Sequence, residues 1–226
     1  MSAILTPLLL LAILVGILGT VYRIYRLVKT PVLRSIPITP AAQSRWGVLG
    51  FMMLETLTFR TLFKASMVTW VFGWVFHVCL LLMLIIHLRF VMIPAPKLTA
   101  LLMPHTSLIS YGLILSLSGL LIRRLVVDRV RYVSSLSDFL HVILLLFIAA
   151  VGMLLAASDT VNVYEVTLFV QGLFTSGSTS LSPNLLLALH VLGACIVLLV
   201  YPFSKLFHGP LMWFNPTRSQ PQRPRS

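Results

Sequence analysis

An all-α integral membrane protein, five transmembrane helices in one bundle, is what this sequence predicts. Three observations predict it. Of 226 residues, 58% are hydrophobic and only 10% charged, with mean hydropathy +1.00, where a soluble domain is about 45–50% apolar and about 25% charged. Apolar runs of roughly 20 residues, the length a bilayer core demands, recur five times. With the N-terminus outside, 15 of the 17 lysines and arginines fall on the inner side, as the positive-inside rule requires. The C-terminus is then cytoplasmic, and 1–226 reads as a single membrane domain with no length left for a soluble one.

The first helix is expected over residues 3–21. No basic residue precedes it, and Arg23, Arg26 and Lys29 follow it. A cleaved signal peptide has the opposite polarity, so the segment reads as an uncleaved span. Residues 23–67 form a basic connection broken by Pro31, Pro37 and Pro40. Its second part, 46–64, mixes apolar residues with Glu55, Arg60 and Lys64, which predicts an interfacial amphipathic helix on which a cytoplasmic partner could sit. The second helix is expected over 67–92 and carries His77 and His87. An outer loop with Pro94, Pro96, Lys97, Pro104 and His105 leads to a third helix over 106–122. A short basic loop follows, with Ser137 or Asp138 as the N-cap of a fourth helix over 138–157 that has His141 in its first turn. The next loop, to Pro183, contains Asp159 and Glu165 but no lysine or arginine, and its centre, YEVTLFVQGLF, reads as returning to the interface. The fifth helix is expected over 185–205, before a Pro/Arg-rich tail at 209–226 that is expected to be disordered in part.

The net charge of +12 orients the chain and suits anionic lipid; nucleic acid is not implied. Cys79 and Cys195 both fall in apolar runs without a CxxC pair, which excludes a four-cysteine zinc or iron–sulfur site. With five acidic residues, none in mid-membrane, a carboxylate proton relay lacks its parts. No internal repeat or pair of broken helices of the transporter kind is present.

All six histidines lie in or beside apolar spans: His77, His87, His105, His141, His190 and His208. Intramembrane ionisable residues are costly and mark functional sites, and imidazole is a common axial ligand of haem iron in helical bundles. His190 and His208 are 18 residues apart, five turns of an ideal helix, so both rings would share one face. Depth pairs His87 with His190 and His77 with His208, which suits two bis-histidine haems. The pairing is imperfect, because 18 helical residues rise about 27 Å against about 15 Å between His77 and His87. Tilt, or a break near Pro202, must absorb the difference. His105 and His141 also lie at usable depths, so spacing alone leaves them open as ligands.

The stretch HVLGACIVLLVYPFSKLFH, with its PFS-[KR]-L-x-H ending, resembles the last helix of the nitrate reductase gamma-type dihaem cytochromes b. The His77-x₉-His87 pair, the five helices and the basic third-to-fourth loop match the same family. The resemblance implies two haem b, one held by His87 and His190, the other by His77 and His208. It implies electron transfer between a quinone pool, such as menaquinone, and a cytoplasmic iron–sulfur partner, in a prokaryotic inner membrane. Within the family, LFKASMVTWVFGWVFHVCLLLMLIIHLRF, ending in HLRF, is more similar to the membrane cytochromes of dissimilatory sulfite reductase-linked complexes (DsrM type). That subgroup implies a DsrK or heterodisulfide reductase-like iron–sulfur partner, further membrane and periplasmic subunits, and a role in sulfur metabolism. His105 and His141 depart from the gamma pattern and leave open an altered quinone site.

Around these ligands, Arg89 is a candidate partner for a haem propionate or a snorkelling interfacial arginine. Lys97 and His105 are quinone-site candidates, against a solvated loop lysine and a structural cap. His141, beside Asp138, reads as a helix cap or an inner quinone contact. The alternative functions are the gamma subunit of a respiratory nitrate reductase and a haem-free membrane anchor for a cytoplasmic enzyme, which would need no histidines at matched depths.

Overall fold

A computed structural model describes residues 1–30, 44–175 and 181–214. Pro31, Arg34, Pro37 and Pro40 in the basic connection, and Arg218, Arg223 and Arg225 in the tail, lie outside the described residues. Among the described residues all regular structure is helical. Five segments are long and apolar enough to cross a membrane: Ser2–Lys29, Met67–Phe90, Lys97–Val126, Leu136–Ser158 and Leu185–Phe203.

Helix α1 runs Ser2–Lys29, past the expected end near residue 21. At 1.5 Å per residue it is about 42 Å long, against about 30 Å of hydrocarbon. The extra turns hold Arg23, Arg26 and Lys29; the heads of Arg26 and Lys29 reach water and complement the helix C-terminus, while Arg23 turns inward. The expected interfacial segment is two helices. Helix α2, Arg45–Thr58, starts at an N-cap Ser44 whose hydroxyl accepts from Gly47 N, and it stops at Phe59 in the left-handed region (φ 50°, ψ 42°). Helix α3, Arg60–Ala65, then resumes; the Glu55 carboxylate accepts from Thr61 N at 3.1 Å and from Thr61 Oγ1 at 3.0 Å. Glu55 thus satisfies the Thr61 N–H, one of the first-turn donors of α3, across the bend.

Helix α4, Met67–His87, continues as a 3₁₀ turn over Leu88–Phe90. The expected outer loop is partly helical: α5, Lys97–Leu102, and a 3₁₀ turn, Met103–His105, lead straight into α6, Thr106–Val126. Thr99 of α5 is fully buried and donates to Ile85 O of α4 at 3.0 Å, which ties the two together. Helices α4 and α6 approach closely where α6 carries glycine: a Cβ on Gly112 would stand 2.6 Å from Cys79 Sγ, and one on Gly119 2.5 Å from the Phe72 ring. Small residues let apolar helices pack by van der Waals contact where no hydrophobic effect drives them.

The basic loop contains α7, Asp128–Val133, before α8, Leu136–Ser158. The N-cap of α8 is Ser135, not Ser137 or Asp138. Asp138 is its capping-box partner and accepts from Ser135 N at 2.9 Å, the reciprocal arrangement that satisfies two orphan donors. Helix α9, Val163–Gly172, is capped by Asn162 and occupies the expected returning stretch. It packs on the Leu88–Phe90 turn, and its Phe169 joins Leu5, Leu181 and Leu187 in a buried cluster. Helix α10 spans Leu185–Val200 only. Two 3₁₀ turns, Tyr201–Phe203 and Lys205–Phe207, separate it from α11, His208–Phe214. Pro202 brings no N–H and its ring collides with the preceding turn, so the chain leaves the helix here.

The chain divides into two compact units, Met1–Ile13 with Val71–Leu198, and Leu14–Trp70 with Leu199–Ser226. Each is described by itself below.

Candidate functional site

In the first unit, α4 and α10 bring His87 and His190 together. Their ring centroids are 6.2 Å apart and their planes differ by 19°. His87 and His190 are the paired imidazoles that would hold a haem iron here. The rings are also in one tautomer. His87 Nδ1 donates to Met83 O at 2.8 Å and His190 Nδ1 donates to Ile148 O at 3.1 Å. With Nδ1–H so committed, the neutral ring keeps its lone pair on Nε2, and the backbone carbonyl fixes its orientation as it does for metal-ligating histidines.

Helix α8 supplies the floor of this site. A Cβ on Gly152 would lie 2.8 Å from His190 Cε1 and 3.2 Å from Nδ1, closer than a flat ring can yield. Ile148 is one turn earlier on the same helix, so the bare backbone at Gly152 also leaves the Ile148 carbonyl open to His190. At the other edge, the 3₁₀ turn after His87 presents Arg89, its guanidinium 4.6 Å from the Phe90 ring centroid and its Nε buried without a hydrogen-bond partner. Phe90 meets His87 edge-on at 5.9 Å.

His77 lies ten residues earlier on α4, about 15 Å away along the axis. Its Nδ1 donates to Gly73 O at 2.6 Å, and Phe76 meets its ring edge-on at 4.8 Å. His208 belongs to the second unit. It opens α11 rather than continuing α10, so the expectation of a shared face with His190 on one ideal helix fails, for the reason given by Pro202. His208 Nδ1 donates to Lys205 O at 3.1 Å, the same tautomer again.

The segment before His208 is held by α1 within the second unit. Arg23 Nη1 donates to Pro202 O and, at 3.2 Å, to Ser204 O. Its guanidinium lies 4.8 Å from the centroid of Phe207, which is 0% exposed. Gly19, one turn before Arg23, has no Cβ to strike Pro202 Cγ, which would be only 2.7 Å away.

The remaining candidates stand apart from this geometry. Lys97 is exposed at the start of α5, and His105 is exposed at the N-cap of α6 without a side-chain capping bond. His141 falls in the second turn of α8 and donates to Ser137 O; the capping role belongs to Ser135 and Asp138. Among the described residues no three or more of His, Cys, Asp and Glu cluster to hold a metal ion, so paired imidazoles are the donor sets on offer. Gly152, Ile148 O, Arg23 and Gln171 escape a reading by spacing, though a lone glycine in the apolar run AAVGMLL does mark a close approach.

The profile of the nitrate reductase gamma subunit family matches residues 57–222. The chain is 27% identical to the Hdr-like menaquinol oxidoreductase cytochrome b-like subunit of Archaeoglobus fulgidus, over 96% of this chain and 79% of that protein. It is 26% identical to the protein of the same description in Archaeoglobus profundus, over 91% of this chain and 75% of that one.

Proposed function

Because the chain belongs to the nitrate reductase gamma subunit family, we propose that it is a multi-pass, haem b-carrying membrane cytochrome that passes electrons between quinone and a partner subunit. The observation that carries this reading is the His87–His190 pair, 6.2 Å apart with near-parallel planes and Nδ1 of each committed to a carbonyl. Haem b supplies a one-electron couple when bound. The chain's own part would be to offer Nε2 of each ring with Nδ1 held by Met83 O and Ile148 O, and to leave space with Gly152. Arg89 sits two residues after one ligand, its buried Nε suited to a propionate carboxylate.

The family resemblance assigns a second haem to His77 and His208, and their Nδ1 bonds to Gly73 O and Lys205 O put both in the ligating tautomer. Lys97 and His105 remain the quinone-site candidates. The relatives' description as menaquinol oxidoreductase subunits supports menaquinol as the quinone partner. The charge asymmetry supports an outside N-terminus in a prokaryotic inner membrane. A cytoplasmic iron–sulfur subunit of DsrK or heterodisulfide reductase-like type would then meet the basic inner face.

A pyridine haemochrome assay on the purified chain is expected to return two haem b per polypeptide. None in folded protein would overturn the reading and leave a haem-free anchor. Gly152→Val is expected to lower haem content or, where haem is retained, to perturb the low-spin signature of the His87–His190 haem, because the added methyls occupy the place of the imidazole. Visible and electron paramagnetic resonance spectra measure that, and parent-like spectra would separate Gly152 from the site.

A further inference from the structure

Two buried side-chain donors have no acceptor. Among the described residues, Arg89 Nε and Gln171 Nε2 are the buried side-chain nitrogen or oxygen atoms without a hydrogen-bond partner. A buried donor left unmade costs about 1–3 kcal/mol, and native structures keep few such groups, often to meet a ligand, water or ion. The two stand on elements that pack together. Arg89 lies in the Leu88–Phe90 turn and Gln171 on α9, the helix that packs on that turn. The acid on α9 does not answer them: Glu165 Oε2 accepts from Ser182 N at 3.3 Å and Oε1 from Asn162 Nδ2 at 3.5 Å. Helix α9 is also firmly seated, through Phe169 in the buried cluster with Leu5, Leu181 and Leu187, so the amide is carried on a fixed support.

We propose that Gln171 and Arg89 form an oxygen-acceptor subsite beside the His87–His190 pair. Both atoms are N–H donors, so the complementary group is an sp² oxygen: a haem propionate carboxylate or a quinone carbonyl. The guanidinium supplies charge, and the amide supplies a neutral second donor from a different element. This inference rests on the proposed haem site, and adds to it a residue on α9 that no histidine spacing indicates.

The test uses the full chain purified with its haem, comparing the parent with Gln171→Met, which keeps length and removes both donors. The two oxygen sources give different results. If a propionate is the acceptor, the midpoint potential of the His87–His190 haem shifts in a redox titration of quinone-stripped protein. If a quinone carbonyl is the acceptor, that potential is unchanged, and the KM for menadiol as electron donor rises about tenfold, one lost hydrogen bond. Gln171→Asn keeps the amide but withdraws it by one methylene, and is expected to move the same quantity in the same direction. Parent-like potential and KM in both variants, at full haem content, would overturn the subsite while leaving the haem reading intact. Absence of haem from the parent would instead overturn the reading on which it rests.

Discussion

His190→Ala is expected to reduce haem b from two per chain to one, and His87→Ala to do the same. The effect is large because the site has few donors to spare. Each imidazole would supply one of the two ligands proposed for this haem, and each is held to a backbone carbonyl, at 3.1 Å from His190 to Ile148 and 2.8 Å from His87 to Met83. Alanine removes the ligand and leaves the Ile148 carbonyl of α8 facing an apolar gap, so replacement by a neighbouring side chain is unfavourable. The measurement is haem per chain by pyridine haemochrome, with low-temperature spectra to identify which component disappears. If both rings serve one haem, as proposed, the same component vanishes in both variants. Loss of different components from the two would show that depth and ring geometry misassign the pair.

What the sequence makes legible here, and what it does not, follows from the range over which each feature is decided. Five spans are legible because hydropathy summed over about 20 residues tolerates local exceptions. Their ends are less so. Helix α1 reaches Lys29 since Arg23, Arg26 and Lys29 are good helix formers, and Arg26 and Lys29 need not leave the helix to reach water. The N-cap of α8 shifts to Ser135 because Ser135 and Asp138 make a reciprocal pair that a single-residue signal at Ser137 or Asp138 does not reveal. Histidine type and rough depth are legible: depth pairs His87 with His190 and His77 with His208, leaving His105 and His141 open, and the rings of His87 and His190 lie against each other. The support of that pair is not. Gly152 and the Ile148 carbonyl act across an interhelical contact that one-dimensional spacing does not encode. Pro202 announces a break, but how far the chain travels before His208 depends on the donors that receive its carbonyls.

Those donors belong to Arg23, and Arg23→Ala is expected to take away the other haem, the one the family resemblance assigns to His77 and His208. Breaking the helix at Pro202 frees carbonyls in an apolar setting, where every backbone group must find a partner. Arg23 answers the carbonyls of Pro202 and Ser204, and covers the buried Phe207 ring at 4.8 Å. A hydrogen bond to a charged group contributes about 1.5–3 kcal/mol, and a cation over an aromatic ring about 0.5–2 kcal/mol. Shared among three contacts at a half-buried site, their loss destabilises the segment ending at His208 by about 2–4 kcal/mol. That is enough to let the ligand wander, since positioning errors of an ångström matter where geometry must be exact to within a bond length. Haem content is expected to fall towards one per chain with the His87–His190 signature retained, the reverse of His190→Ala. Arg23→Lys is expected to recover only part, because an ammonium can donate to carbonyls but lacks the planar guanidinium that also lies over the Phe207 ring. Two haems with parent-like potentials in Arg23→Ala would show that Pro202, Ser204 and Phe207 hold His208 in place without it.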